Sequence, residues 1–416
     1  MIYFCIVKRF KYILRTLMLV AIATFCMQAH AQQQDSLLAD MDSVEISLLT
    51  CSPGHEVWSL YGHTALRFVD KKHHDDLAIN WGMFSFQQKN FILRFIFGKT
   101  DYQMGIEPFN YFMIEYAKDG RSIIAQRLNL TREEKLAITQ AIAQNYEPQN
   151  REYRYNFFYD NCTTRARDMI FQNLHLERIQ YSSRRKKSTW RKEIHNMNHA
   201  HSWNEFSTDL LLGIKADNEI GREEEQFLPH NLKDDFAEAT IIDASGNKRA
   251  LVDSTYYILK VDKANVHIEP SIWDDVTPNV LFYGFIILNL LILVIEWQRK
   301  KTFWLVDLIL LTLSGLAGLI LTAMIFSEHP TVSLNTLILV LNPFNLVFVY
   351  PVTNQIIKGK AHWYFRVLAC CCLMMLVGTF WQDIPSPMII LAAFLLLRTC
   401  SVIYIYASKN PKKKNK

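Results

Sequence analysis

Metal-ligand spacing is missing from this chain: its eight cysteines and 13 histidines include no CxxC pair and no HExxH run. That absence argues against a structural zinc module and against a zincin-type protease, and no metal or cofactor is expected. Internal repeats are missing too, and the only low-complexity stretch is the lysine tail. Paired cysteines are scarce where a disulfide framework would need them. Cys5 and Cys26 fall in the amino-terminal segment, and Cys370, Cys371, Cys372 and Cys400 fall in apolar runs, which leaves Cys51 and Cys162. A basic domain is absent as well. The formal net charge is +5, but the excess Lys and Arg lie in short loops between apolar segments and in the tail, so no nucleic-acid partner is expected.

What is present begins with an export signal. Lys8, Arg9, Lys11 and Arg15 precede the apolar run Thr16 to Met27 and the small-x-small sequence Ala29-His30-Ala31. Residues 1–31 read as a signal peptide with a mature start near Gln32. Phe25 is too bulky to precede a lipidated Cys26. Five downstream runs are long and apolar enough to cross a bilayer: Asn279 to Trp297, Phe303 to Phe326, Thr331 to Pro351, Tyr364 to Trp381 and Ser386 to Tyr406. Arg299, Lys300 and Lys301 fill the first loop, and Lys358, Lys360 and Arg366 surround the third. The loops at Ser327 to Pro330 and Gln382 to Pro385 contain no Lys or Arg. By the positive-inside rule, residues 32–278 then face the periplasm and 409–416 form a basic cytoplasmic tail. The expectation is a multi-pass protein of the bacterial inner membrane, with a transmembrane domain at 279–408.

Alternation in Val44 to Thr50, Thr64 to Val69, Leu77 to Trp81 and Ser122 to Leu128 predicts strands. Thr131 with Glu134 makes a capping box ahead of a helical run, and further helices are expected from Asn161, near Trp190 to Met197 and near Phe206 to Leu212. The exported part therefore reads as α+β, followed by an all-α five-helix bundle.

A lone thiol and a distant imidazole can meet in a fold as nucleophile and base. Asn161 is a favoured N-cap, which puts Cys162 at the first helical position, where unpaired amides and the helix dipole stabilise a thiolate. Those first-turn amides are also natural donors to an oxyanion. His63 follows Gly62 at the start of a strand, and an imidazole there can take a proton and return it. His55, Glu56, Asn80 and Asp160 are the residues that could orient the ring. The other reading of Cys162 is a structural disulfide with Cys51.

The stretch Ser52-Pro53-Gly54 through Tyr61-Gly62-His63-Thr64-Ala65-Leu66-Arg67, then Asn80-Trp81-Gly82-Met83-Phe84, then Tyr155 to Arg165 with its Asn161-Cys162-Thr163-Thr164-Arg165 run, resembles the Lnb-type lipoprotein N-acyltransferases. Asp209 to Gly213 and Phe227-Leu228-Pro229 look like later landmarks of that family. Trp81 stands where the family commonly has Tyr, and Ser85 where an acidic residue is frequent. More broadly, a histidine preceding the cysteine resembles the permuted NlpC/P60 group with its rearranged papain-like core. The resemblance implies that Cys162 takes an acyl chain from a membrane phospholipid as a thioester, with His63 as base. The acceptor would be the α-amine of the lipid-modified cysteine at a lipoprotein N-terminus. Two other readings stand beside it: an NlpC/P60-type peptidase acting on peptidoglycan, and a membrane scaffold with the Cys51 to Cys162 disulfide.

Elsewhere, Glu328 and His329 are expected at the outer membrane face, in contact with head groups, supporting the exported site or simply ending a helix at Pro330. Asn335, Asn342 and Asn345 are expected to face the bundle, and Asp307 and Arg398 to pair or snorkel. The run Arg184-Arg185-Lys186-Lys187 is either a phospholipid-docking patch or a solvated face.

Overall fold

The computed structural model describes Met18, residues 35–262 except 86, 88, 184, 185, 199 and 200, and residues 276–407. The signal segment apart from Met18, the basic tail and Arg184-Arg185 lie outside the described residues.

Seven antiparallel strands form the main sheet in the order β12-β5-β1-β2-β3-β4-β6. They are β1 (Val44–Cys51), β2 (His63–Asp70), β3 (Asp75–Met83), β4 (Asp101–Pro108), β5 (Ile123–Leu128), β6 (Glu152–Arg154) and β12 (Val252–Leu259). A second sheet joins β7 (Arg178–Tyr181), β10 (Ala239–Ile242) and β11 (Lys248–Ala250), and β8 (Ser188–Thr189) pairs with β9 (Glu219–Ile220). Helices α1 (Phe91–Ile96), α2 (Phe109–Lys118), α3 (Arg132–Tyr146), α4 (Cys162–Phe171), α5 (Trp190–Asn198), α6 (Ser202–Leu211), α7 (Arg222–Glu225) and α8 (Pro229–Glu238) complete this part.

Both faces of the sheet are covered, because β1 is apolar on both. Ile46 and Leu48, with Leu66 and Ile79, meet Ile138 of α3, Ala166 and Ile170 of α4, and Leu232 and Phe236 of α8. Leu49, Ala65 and Ala78 point the other way, onto Phe109, Phe112 and Tyr116 of α2. Each such aliphatic side chain contributes roughly 1.5–3 kcal/mol on burial. The strands predicted at the amino end are present within a residue or two. β4 and β6 to β12 are not marked by alternation; β12 returns from the far end of the domain to close one edge of the sheet.

The carboxyl-terminal part is helical: α9 (Pro278–Arg299), α10 (Trp304–Ile325), α11 (Phe344–Ile357), α12 (Tyr364–Gly378) and α13 (Ser386–Ala407). Four segments are long and apolar enough to cross a membrane: α9, α10, Thr336–Ile357 and α13. α12 is shorter, 15 residues, or about 22 Å at 1.5 Å per residue. The third segment departs from expectation. Thr331 to Asn335 are not helical, because their carbonyls are engaged by the other domain: Gly213 N donates to Thr331 O and Ile214 N to Leu334 O, both at 2.8 Å. A 3-10 turn follows, and α11 begins only after Pro343 and continues past Pro351.

The same contacts seat the amino-terminal domain on the helices. Asn335 Nδ2 donates to Leu210 O at 2.8 Å, Gln382 Nε2 to Leu212 O at 3.1 Å, and Arg154 pairs with Glu328 at 2.9 Å. Asn342 caps the turn before α11, Asn345 joins Ser314 and Tyr364, and Asp307 forms a two-pronged pair with Arg398. Glu296 joins that pair as a second carboxylate at 3.1 and 3.3 Å, a partner the sequence reading missed.

Candidate active site

Cys162 opens α4. Asn161 caps the helix through Oδ1, which accepts from the amides of Thr163 at 2.8 Å and Thr164 at 3.0 Å, while the Thr164 hydroxyl accepts from Asn161 N at 2.9 Å. The cap is held from behind, since Asn161 Nδ2 donates to Phe157 O and Phe227 O at 2.9 and 3.0 Å. Phe227 begins the Phe227-Leu228-Pro229 segment, whose proline ring also backs the turn before His63, 3.6 Å from where a Cβ on Gly62 would stand. Gly62 has φ +80, and that Cβ would lie 2.8 Å from Cys51 O, so the turn delivering His63 requires glycine.

His63 is the first residue of β2 and lies opposite Cys51 of β1. One contact joins strand and helix beside the two reactive groups: the Thr64 hydroxyl donates to the Thr163 hydroxyl at 3.1 Å. Gly82 of β3, at φ +86, lets the sheet pass close to the helix start, its Cβ position being 3.5 Å from the Cys162 Cβ. The structure thus brings Cys162 and His63 together. Burial alone would push the Cys162 thiol up. The His63 charge and hydrogen bond, helped by the Thr64 amide and the Thr163 hydroxyl, outweigh it and bring the thiol down to about 7. Burial likewise opposes charge on His63, but the Cys162 thiolate and the bonds from Cys162 and Asn80 hold the imidazole proton above its usual range. Such a pair favours thiolate and imidazolium, the form in which sulfur is nucleophilic.

Of the four residues that could orient the ring, Asn80 does so: its Oδ1 is 2.5 Å from His63 Nε2. Asn80 Nδ2 points at Glu107 Oε1, 3.5 Å away on β4. A carboxylate accepts only, so it sets the amide with oxygen toward the imidazole. Nε2 then carries the hydrogen and Nδ1 is left to face the thiol. Glu107 was not singled out in the sequence; burial and the neighbouring Glu115 raise its carboxyl above the usual range. Asp160 is instead clamped to Arg165 at 2.6 and 2.8 Å. His55 and Glu56 lie exposed in the turn before β2, and among the described residues neither bonds the ring.

The disulfide alternative is not formed: Cys51 and Cys162 are both free thiols. Cys51 is buried against Phe112 and Tyr116, and burial pushes its thiol up to about 12, making it inert. Two of the expected oxyanion donors, the Thr163 and Thr164 amides, are taken by Asn161. The aromatic residues Trp81, Phe84, Tyr102, Tyr153 and Tyr155 share one apolar cluster with Cys162.

Away from this pair, His195, Glu205 and Asp209 bring ligand atoms within 4.8 Å of one another. Asp209 Oδ1 already accepts from the buried Arg191 at 2.7 Å and lies 2.8 Å from His195, so a cation there would meet a guanidinium; the cluster is an ion-pair network. Glu328 donates its amide to Phe97 O at 3.0 Å, so the loop braces the amino-terminal domain. His329 is buried against Phe157 at 4.6 Å, and burial pushes its imidazole down to about 4. Lys187 pairs with Glu219.

Residues 32–193 match the family model described as the Lnb N-terminal periplasmic domain, and residues 268–410 match the Lnb transmembrane domain. No curated protein and no solved structure matches the chain.

Proposed function

The chain belongs to the Lnb family of lipoprotein N-acyltransferases, and from that premise we propose that it moves an acyl chain from a membrane phospholipid, through a thioester on Cys162, to the α-amine of the lipid-modified cysteine of a lipoprotein. The coupled Cys162 and His63 pair carries this reading, because a thiol held near 7 beside a protonated imidazole is equipped for acyl transfer at neutral pH.

In the first half-reaction the Cys162 proton already rests on His63 Nδ1, and the thiolate attacks the ester carbonyl carbon. The tetrahedral oxyanion falls to the Cys162 amide, the first-turn N–H that Asn161 leaves unused. Collapse breaks the C–O bond, His63 returns the proton to the leaving alkoxide, and lysophospholipid departs. In the second, the neutral α-amine attacks the thioester carbonyl, its proton passes to His63, and the C–S bond breaks. The amide product leaves and the thiolate–imidazolium pair is restored. No redox partner or metal is needed for either half.

Both substrates are bilayer-bound, which accounts for mounting the thiol domain on membrane helices at the periplasmic face of the inner membrane. A defined test uses the purified chain in phospholipid vesicles with a synthetic diacylglyceryl lipopeptide. N-acylated peptide and lysophospholipid in equal amounts support the proposal; an unchanged lipopeptide overturns it.

A further inference from the structure

Helix α1 has the sequence FILRFI, apolar at every position except Arg94. Its first and last residues are engaged, with Phe91 stacked on Phe84 at 5.7 Å and Ile96 packed against the cluster that holds Phe158, Trp190 and Met324. Between them lie exposed apolar side chains: Ile92 is 73% exposed and Leu93 57%, with Phe95 also exposed. Apolar side chains grouped in this way on an exported domain mark a contact surface.

The neighbouring elements indicate what covers it. Glu328 N donates to Phe97 O at 3.0 Å, directly after α1. Gly98, at φ +66, comes so near the same loop that a Cβ would lie 3.1 Å from the amide nitrogens of both Glu328 and His329. The Phe95 ring is 6.3 Å from that of His329. These loop residues follow α10 immediately, and Phe326 at its end is itself 71% exposed. The loop that ends α10 is therefore held against the end of α1, which places the exposed apolar residues of α1 at that end of the span.

Inward from α1, aromatic rings follow one another toward the thiol. Phe91 meets Phe84 at 5.7 Å, Phe84 meets Tyr102 at 4.8 Å, and Tyr102 meets Tyr155 at 4.1 Å. Phe84, Tyr102, Tyr155 and Cys162 belong to one packed cluster. This row of rings links α1 to the apolar cluster that holds the thiol.

We propose that α1 is an in-plane membrane element, seated with Ile92, Leu93 and Phe95 in the outer-leaflet boundary beside α10, and that it guides a leaflet acyl chain along Phe84, Tyr102 and Tyr155 to Cys162. The cargo rests on the acyl-transfer reading above, whereas the seating of the helix does not. An amphipathic surface of this kind binds by burying apolar side chains at the head-group boundary, so a charge placed there expels it.

Two measurements on the full chain separate these claims. In the first, p-benzoylphenylalanine replaces Ile92 or, as a control, Glu133 on α3, in vesicles of phosphatidylethanolamine and phosphatidylglycerol. Photo-cross-linking to lipid at position 92 and not at 133 is expected; no lipid adduct at 92, or equal adducts at both, overturns the seating. In the second, Ile92→Glu/Leu93→Glu is compared with the native chain, using vesicle phospholipid and a monomeric short-chain phosphatidylcholine as acyl donors. The rate of Cys162 acylation should fall at least about tenfold from vesicles and stay within about twofold from the monomeric donor. Equal loss from both donors, or no loss from either, overturns the guiding role. If the native chain takes an acyl group from neither donor, the acyl-transfer reading fails and the cross-link alone decides the seating.

Discussion

His63 Nε2 and Asn80 Oδ1 lie 2.5 Å apart on neighbouring strands of one sheet. That contact fixes which imidazole nitrogen faces Cys162. Asn80→Ala should slow thioester formation about tenfold to a hundredfold, a part of the roughly 10²–10⁴ that general acid–base catalysis supplies. Glu107→Gln should slow it less, because a second amide lets Asn80 turn over without emptying the contact. Single-turnover acylation rates measure both, and equal rates for Asn80→Ala and the native chain would remove Asn80 from this role.

The thiol of Cys162 is brought down to about 7 by His63. A lowered thiol pKa means that thiolate is present at lower pH. Iodoacetamide alkylation of Cys162 should therefore reach half its plateau near pH 7, well below the ordinary thiol range of about 8.5. In His63→Ala the charge and hydrogen bond are gone while burial remains, so the midpoint should move up. A midpoint unchanged by His63→Ala would show that the two groups are not coupled.

Asn161 satisfies two amides and two buried carbonyls at once. Loss of the cap in Asn161→Ala costs about 1–2 kcal/mol, and carbonyls left without donors cost about 1–3 kcal/mol more. Asn161→Asp keeps the acceptor and loses the donors, so its thermal midpoint should lie between those of Asn161→Ala and the native chain. Its negative charge beside Cys162 should also raise the alkylation midpoint. Thermal unfolding and the same alkylation profile read the two effects separately.

Arg398 joins Asp307 and Glu296 inside the helical bundle. Arg398→Leu leaves two carboxylates without their partner and should destabilise by about 3–5 kcal/mol. Arg398→Lys should recover little, because a single ammonium cannot reproduce a guanidinium fork bonded to both acids. Thermal scans in detergent measure each variant; a stable Arg398→Lys would contradict the fork geometry.

Local pattern made much of the fold legible. Alternation marks β1 to β3 and β5, and the cap residues Thr131 and Asn161 mark the starts of α3 and α4, because these signals are written within a few residues. What escaped is non-local. β4 has Gly105 within it and Pro108 at its end, which blurs alternation. β12 gains its place only by pairing with β5. Cys162 and His63 stand out by their own neighbours, but their approach depends on the Thr64 to Thr163 contact between a strand and a distant helix. Glu107 reaches Asn80 only through the β3 and β4 register. The late start of α11 follows from Gly213 and Ile214 bonding Thr331 and Leu334, a docking contact that hydropathy does not record.

The most direct measurement is the intact mass of the purified protein after incubation with phospholipid, for the native chain, Cys162→Ser and His63→Ala. A hydroxylamine-labile acyl adduct on the native chain, absent from Cys162→Ser and strongly reduced in His63→Ala, is the expected result. A native chain that remains unmodified with its Cys162 thiol free, or an adduct that persists in Cys162→Ser, would contradict acyl transfer through this cysteine.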